Sequence, residues 1–202
     1  MYKNLKQLAQ KYSLILGSGS PRRVQLLQET TVQFSQVIPD IDEKILINEK
    51  PYEYALRMSH EKGNALRNLL KDNQLAITCD TIVILNNEIL SKPSDEDNAK
   101  NILRKLSGNC HEVVTSIAFS THAGLLSNNF ETTKVYFNNV NEAEIEKYIA
   151  TKEPMDKAGA YGIQGMGAFL VDRIEGNLDN VIGLPRTLLE KMATEIIDKD
   201  IS

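Results

Sequence analysis

The chain has 202 residues, 42% of them hydrophobic, and a formal net charge of −4. This length and apolar content suffice for a buried core, and the negative balance excludes a broad basic surface for nucleic acid, so a local basic cluster should bind a small anion. A membrane span requires about 18 consecutive apolar residues, and no stretch of this sequence is close to that length. We therefore expect a cytoplasmic protein without a membrane partner.

Hydrophobic periodicity divides the chain into alternating helices and strands. The predicted helices cover residues 4–11, 21–29, 51–71, 95–106, 142–150 and 184–197, with Ser94 and Asn141 as N-caps. The predicted strands cover residues 12–16, 33–38, 75–85, 88–90, 110–120, 125–138 and 168–174. Because helices alternate with strands and residues 110–138 form a long hairpin, we predict an α/β fold with a mixed β-sheet flanked by helices.

The segment between the first strand and the second helix has the layout of a phosphate-binding loop. Residues 17–21 read Gly-Ser-Gly-Ser-Pro, and the helix that follows carries Arg22 and Arg23. Glycines allow close approach of an anion, and a helix N-terminus with forked arginine donors favours negative charge. The alternative is a capped turn with solvated arginines. Because Arg23 shares a helical face with Leu26, periodicity favours a guanidinium held at the edge of the core.

Asp80 interrupts the apolar run 75–85, which otherwise resembles a strand buried on both faces. A buried carboxylate without a partner costs several kcal/mol, in the range of about 3 to 5 for a broken buried pair. Asp80 should therefore meet a cation, a metal or a cleft. The alternative is a structural salt bridge between Asp80 and an arginine. The interpretation of Asp80 as a functional-site residue is favoured.

Lys62 is also unusual, because Met58, Lys62 and Leu66 follow the spacing of the inward face of one helix. A lysine at that position points towards the core or snorkels along the helix edge. Lys92 and Pro93 follow the predicted strand at 88–90. The proline would fix a turn that holds the ammonium of Lys92 at the rim of a cleft.

The segment 153–165 mixes charges and glycines without helical or strand periodicity. Such a loop presents backbone and side-chain donors. The amide of Gln164 is suited to reading the edge of a base, whereas Tyr161 either stacks on a ligand or packs in the core.

Two cysteines, Cys79 and Cys110, have no metal-binding spacing and stand in apolar stretches. This pattern predicts buried free thiols. Nothing in it implies a structural zinc site.

Taken together, these segments resemble the Maf family of nucleoside triphosphate pyrophosphatases from Leu14 to Leu189. The matching motifs occur in the family's order: SGSPRR at 18–23, DTIV at 80–83, KP at 92–93, LSG at 106–108 with His111 and Thr115, EPMDKAGAYGIQG at 153–165, and NVIGLP at 180–185. The resemblance implies a single domain over residues 1–202, with two lobes around a central cleft. It also implies hydrolysis of a nucleoside triphosphate to a monophosphate and pyrophosphate with a divalent cation, Mg²⁺ or Mn²⁺.

The resemblance assigns roles by motif position. Asp80 corresponds to the catalytic proton acceptor, and Glu43 is its partner in holding metal or water. The phosphate contacts implied by the family are Ser18, Arg23, Lys62 and Lys92.

Arg22, Thr81 and Gln164 resemble the positions of the family branch that acts on dTTP and UTP. A 7-methyl-GTP pyrophosphatase of the same family is the near alternative, and modified pyrimidine nucleotides are further candidate substrates. A nucleotide-binding regulator of cell division is the alternative from another class. The edge strands of the long hairpin need cover, which makes a homodimer an additional expectation.

Overall fold

The computed structural model describes residues 1–201 and contains helices packed against a β-sheet. The α-helices are α1 (Lys3–Lys11), α2 (Pro21–Gln28), α3 (Pro51–Leu66), α4 (Glu96–Leu106), α5 (Glu142–Ala150), α6 (Leu178–Ile182) and α7 (Arg186–Ile201). Short 3₁₀ helices lie at Arg67–Leu69, Glu153–Asp156, Ala158–Ala160 and Met166–Leu170. None of the helices within residues 1–201 combines the length and apolar character that a bilayer crossing needs.

One sheet of seven strands runs through the molecule. Its strands are β1 (Ser13–Gly17), β2 (Phe34–Gln36), β3 (Gln74–Leu85), β4 (Glu88–Leu90), β5 (Cys110–Thr121), β6 (Gly124–Phe137) and β7 (Val171–Glu175). The strand order is β2-β1-β3-β5-β6-β7, and β4 pairs with β3. Strand β1 is parallel to β2 and β3, whereas the β3–β4 and β6–β7 pairs are antiparallel. The predicted α/β class with a mixed sheet is confirmed.

The chain folds into two compact units. The first unit comprises residues 1–80, 115–131 and 183–201, and the second unit comprises residues 81–114 and 132–182. Strand β7 pairs with β6 only at Lys134–Phe137. Within the described residues, the start of β6 therefore forms a sheet edge. An uncovered edge of this hairpin is the feature from which a homodimer is expected.

In the first unit, α7 closes the N-terminal end of α1. Tyr2, which precedes α1, provides no side-chain cap. The carboxylate of Glu190 accepts hydrogen bonds from the backbone amides of Asn4 and Leu5, at 2.8 and 2.9 Å. These contacts satisfy amide groups that a helix N-terminus leaves without partners, and they place a negative charge at the positive end of the helix dipole.

In the second unit, the core contains an aromatic cluster around His111. The ring centroids of His111 and Phe137 lie 4.9 Å apart, and those of Phe137 and Tyr161 lie 4.7 Å apart, both with edge-to-face geometry. The Tyr161 hydroxyl lies 2.8 Å from His111 Nε2. Of the two uses predicted for Tyr161, the structure shows packing within the core.

Several predicted boundaries are confirmed, including the Asn141 cap of α5, whose side chain accepts from the amide of Glu144 at 3.0 Å. Asn86 and Asn87, between β3 and β4, both have positive φ, as a type I′ turn requires. The prediction that Ser94 caps α4 was wrong. Asp95 is the N-cap, and Ser94 donates to its carboxylate instead, because a carboxylate is the stronger acceptor.

Three other expectations need correction. The strand predicted from residue 168 begins at Val171, because residues 166–170 form a 3₁₀ helix. The short helix α6 was missed, and helices of about five residues carry too little periodicity to detect. Cys79 is buried as predicted, but Cys110 is exposed, because it is the first residue of β5 and lies before the buried part of that strand.

Candidate functional site

The loop between β1 and α2 has the local structure that its sequence predicts. Pro21 is the first residue of α2, and the Ser20 hydroxyl caps the helix by accepting from the amide of Arg23 at 3.5 Å. The Ser18 hydroxyl accepts from the amide of Ser20 at 3.2 Å. These bonds fix the backbone where a helix N-terminus offers amide groups to an anion.

Gly17 has a packing role in addition to the one that its sequence indicates. A Cβ at this position would collide with the side chain of Thr78 on β3 and would lie 2.8 Å from Leu66 Cδ1. Packing against α3 and β3 therefore accounts for this glycine without any ligand.

The guanidinium of Arg23 joins three segments of the first unit. Its Nε donates to the Gly183 carbonyl at 2.8 Å, and its Nη1 donates to the Cys79 carbonyl at 3.0 Å and to the Ser18 hydroxyl at 3.1 Å. The expectation of a guanidinium at the core edge is confirmed. Arg22 is half-buried and forms no ion pair with the described side chains of residues 1–199.

The centre of the site is a chain of three charges. Lys62 Nζ lies 2.6 Å from Asp80 Oδ1 and 2.7 Å from Glu43 Oε1. The Asp80 and Lys62 side chains are 9% and 12% exposed, whereas Glu43 is 43% exposed. The prediction that Asp80 meets a cation is confirmed, and that cation is the inward-facing lysine of α3 rather than an arginine.

This cluster meets the Arg23 network at consecutive residues of β3, because Arg23 binds the carbonyl of Cys79, which precedes Asp80. The structure thus brings together Ser18, Arg23, Lys62 and Asp80 with Glu43. The hydrogen bond to Cys79 fixes the backbone next to the buried carboxylate.

Neighbouring groups remain uncharged. Burial raises the pKa of the Tyr54 hydroxyl, and the negative fields of Asp80 and Glu43 raise it further. Tyr54 therefore keeps its proton and donates to the Glu43 carbonyl at 2.9 Å. Burial also raises the pKa of Cys79 to about 11, so this thiol is not a ready nucleophile.

A second arginine, Arg57, anchors the loop that carries Glu43. Its guanidinium donates to both carboxylate oxygens of Glu49, at 2.5 and 2.7 Å, and to the Lys44 carbonyl at 2.9 Å. The sequence pattern alone does not indicate this anchor. Arg57 and Glu61 stand at the i, i+4 spacing of a helical ion pair, but no sequence signal points to the more distant Glu49.

The donor set near Asp80 is compatible with a hard divalent cation. No group of three or more His, Cys, Asp or Glu side chains within residues 1–199 is arranged to hold a metal. Mg²⁺, however, commonly takes only one or two carboxylates from a protein and completes its shell with water and substrate phosphate. Asp80 and Glu43 fit that smaller share, and Lys62 neutralises both of them in this structure.

The remaining predicted site residues belong to the second unit. Thr81 is its first residue and is half-buried. Lys92 and Gln164 are exposed, Lys92 after β4 and Gln164 in the segment that follows Tyr161. Their roles in binding phosphate and base stay predictions.

Residues 13–196 match the family model described as Maf-like protein. The chain belongs to the Maf family. This assignment covers both units and agrees with the motif order described above.

Curated relatives of this Maf chain share one name. A "dTTP/UTP pyrophosphatase" of Vibrio cholerae is 44% identical over 172 residues, covering 85% of this chain and 91% of the relative. The protein of the same name from Alkaliphilus oremlandii is 45% identical over 175 residues, covering 85% and 90%. A third, from Clostridium botulinum, is 40% identical over 186 residues, covering 91% and 99%.

Solved structures support the Maf chain's fold class. A HAM1 protein from Coxiella burnetii superposes with a TM-score of 0.50 and 14% identity, covering 93% of this chain and 99% of that one. The Ham1 protein of Staphylococcus aureus gives a TM-score of 0.50 with 16% identity, covering 91% and 98%. At these identities the likeness concerns the fold alone.

Proposed function

We propose that this Maf-family chain is a hydrolase that converts dTTP and UTP to the monophosphate and pyrophosphate. The observation that carries this proposal is the 40–45% identity, over at least 85% of the chain, to proteins named dTTP/UTP pyrophosphatase. The buried carboxylate and ammonium of Asp80 and Lys62 support it, because hydrolysis of a triphosphate needs a proton acceptor beside positive charge.

In the proposed reaction, water attacks the α-phosphorus, and the bond from that phosphorus to the bridging oxygen breaks. Pyrophosphate leaves with the electrons of that bond. Asp80 accepts the proton of the attacking water, and the hydrogen bond from Lys62 holds the carboxylate in a fixed orientation.

The phosphate groups need several fixed donors, because negative charge increases on the departing pyrophosphate. We assign this role to Ser18, Arg22, Arg23, Lys62 and Lys92. Arg22 forms no ion pair with the side chains of residues 1–199, which supports its assignment, since its forked donors need not be released from such a partner.

A divalent cation, Mg²⁺ or Mn²⁺, would be held by Asp80 and Glu43. When bound, it would neutralise part of the triphosphate charge and favour the ionised form of bound water. Tyr54 and Arg57 would keep Glu43 in place by holding its loop.

Base recognition is assigned to Thr81 and Gln164. Uracil and thymine present the same pattern of two carbonyl acceptors flanking one N–H donor. A glutamine amide has one acceptor and two donors, so it can pair with adjacent groups on that edge. Gln164 is exposed, which leaves this amide accessible.

We further propose that residues 1–202 work as one catalytic domain in the cytoplasm. The uncovered start of β6, with exposed Leu125 and Leu126, supports a homodimer. Light scattering on the purified protein measures this oligomeric state directly.

The proposed activity is tested with purified protein, Mg²⁺ or Mn²⁺, and a panel of dTTP, UTP, CTP, GTP, ATP, 7-methyl-GTP and a 5-modified pyrimidine triphosphate. Monophosphate and pyrophosphate are both measured, and a chelator serves as the metal control. Selective cleavage of dTTP and UTP supports the proposal. Preference for 7-methyl-GTP would overturn the substrate assignment, and binding without cleavage of any nucleotide would favour a regulatory protein.

A further inference from the structure

Glu153, at the start of the 153–167 segment, directs its carboxylate into that segment. Its Oε1 accepts hydrogen bonds from the Tyr148 hydroxyl at 2.9 Å and from the amide of Gly167 at 3.1 Å. Its Oε2 accepts from the amide of Met166 at 2.9 Å. Burial alone would raise the pKa of this carboxyl, but the three hydrogen bonds and the positive charge of Lys157 outweigh burial and lower the pKa. Glu153 is therefore an ionised acceptor within the loop.

Tyr148 extends this anchor to the other end of the loop. Its side chain is 2% exposed, and its hydroxyl accepts from the amide of Gly162 at 3.1 Å while donating to Glu153. Burial raises the pKa of the Tyr148 hydroxyl, so the proton needed for that donation is retained. One carboxylate and one hydroxyl thus hold three backbone amides, those of Gly162, Met166 and Gly167.

The glycines of the loop are where the anchor requires them. A Cβ on Gly167 would lie 2.5 Å from the Tyr148 hydroxyl oxygen. A Cβ on Gly165, which has φ +95°, would lie 3.0 Å from Glu153 Oε2, and one on Gly162 would lie 2.9 Å from Lys157 Cε and 3.2 Å from Glu153 Oε1. These glycines allow the backbone to wrap closely around the carboxylate and the hydroxyl, so the loop is a fixed structure rather than a flexible linker.

Gln164 stands between the anchored positions. Its side chain is exposed and makes no hydrogen bond within residues 1–199, whereas the backbone on both sides is held at Gly162 and Met166. An amide that reads one base against another needs such a fixed backbone, because a donor displaced by about 1 Å loses much of its hydrogen bond.

We propose that Glu153, acting with Tyr148, is a positioning residue for nucleotide selectivity: it holds the loop 162–167 so that Gln164 presents its amide to the pyrimidine base. This inference rests on the proposed function. It assigns to Glu153 no contact with the substrate and no part in proton transfer.

The test compares Glu153→Gln with wild type on dTTP, UTP, CTP and GTP. The variant keeps the size of the side chain but loses its charge and introduces an N–H₂ group towards backbone amide donors. We expect KM for dTTP to rise about tenfold and kcat to stay within about twofold. The contact that is weakened is that of the Gln164 amide with the base, which is formed in the bound substrate as well as in the transition state. The preference for dTTP over CTP should fall by a similar factor.

Three further variants complete the comparison. Gln164→Ala should show the same loss of preference, and Tyr148→Phe should show a smaller one, since it removes one bond to Glu153 and one acceptor for Gly162. Glu142→Gln is the matched control, because its carboxylate pairs with Arg104 on the surface. That control should leave preference unchanged.

Hydrogen exchange provides a readout that does not depend on activity. The amides of Gly162, Met166 and Gly167 should be protected in wild type and exchange at least about tenfold faster in Glu153→Gln, with protection of β3 and α3 unchanged. If Glu153→Gln fails to fold, the preference and exchange of Tyr148→Phe decide the question.

The outcomes separate this inference from the proposed function. Wild type that cleaves none of the panel refutes the proposed function, and the selectivity role falls with it. If wild type prefers dTTP and a folded Glu153→Gln protein shows the same preference, the positioning role alone is overturned. An equal loss of kcat on every nucleotide would also overturn it, because that result indicates a general defect.

Discussion

The ammonium of Lys62 lies between Asp80 Oδ1 and Glu43 Oε1, at 2.6 and 2.7 Å. One cation therefore neutralises two carboxylates, one buried and one partly exposed. This arrangement explains how an apolar strand tolerates Asp80, because the charge is paired where it leaves water.

Replacing Asp80 with asparagine should remove turnover without unfolding the protein. Asparagine has the same shape, and Lys62 retains its ion pair with Glu43. Loss of the proton acceptor should lower kcat on dTTP by about 10² to 10⁴. Pyrophosphate release and thermal melting are measured together, with the exposed Asp72→Asn as control. A folded Asp80→Asn protein with wild-type turnover would remove Asp80 from the mechanism.

Replacing Lys62 with methionine should increase the affinity for Mn²⁺ in the absence of nucleotide by at least about tenfold, because the variant loses a positive charge that competes for the same two carboxylates. The shift of the melting temperature with Mn²⁺ concentration reports this affinity without any turnover. Lys62→Arg keeps the charge and should bind Mn²⁺ as wild type does. Equal affinities of Lys62→Met and wild type would show that Asp80 and Glu43 do not hold the ion.

Two neighbouring arginines provide a matched pair for a stability measurement. Arg23→Lys should lower the free energy of unfolding by about 2 kcal/mol, because one ammonium cannot reproduce the diverging bonds to Gly183 and Cys79. Arg22→Lys should change it by less than about 0.5 kcal/mol. Urea unfolding with an unchanged m-value checks both. Equal effects at the two positions would contradict the structural role of Arg23.

Stability should depend on pH through His111. The residue is 2% exposed, and burial lowers the pKa of its imidazole from 6.5 to about 4. Between these values the unfolded chain binds a proton that the folded chain does not, so stability is complete above pH 6.5 and decreases as pH falls towards 4. The total loss is about 3 kcal/mol. Among the described side chains, those of residues 1–199, the Nδ1 atom of His111 has no hydrogen-bond partner, which agrees with a neutral ring.

Urea unfolding at several pH values between 4 and 7 tests this prediction. A His111→Gln variant should show a flatter dependence over this range, whatever its stability at pH 7. His60→Gln, at an exposed position on α3, should retain the wild-type dependence. A wild-type slope in the His111 variant would assign the effect to other groups.

The central charges could be predicted from the sequence because they violate a pattern. Asp80 interrupts a strand that is otherwise apolar, and Lys62 occupies the inward face of an amphipathic helix. A buried charge at either position costs free energy that a partner of opposite charge must offset. The structure shows that the two residues are each other's partners. The cap at Ser20 was similarly predictable, since a capping residue acts within one turn of its own helix.

Contacts between distant segments were not predictable in this way. The bond between Arg57 and Glu49 depends on how an irregular loop folds back onto a helix, and the exposure of Cys110 depends on where its strand enters the core. The Glu153 anchor combines a helix, a 3₁₀ turn and three glycines. No periodicity encodes such an arrangement, because its contacts join segments that lie apart in the sequence.

The division of the chain into two units has a consequence for how the protein can change. The backbone passes between the units at Asp80–Thr81, Val114–Thr115, Glu131–Thr132 and Ile182–Gly183, so neither unit is one continuous stretch of sequence. No single truncation or gene fusion can remove or exchange one unit intact. Exchange of one unit by recombination would need breaks at all four crossings, so we expect substrate preference to change by individual substitutions.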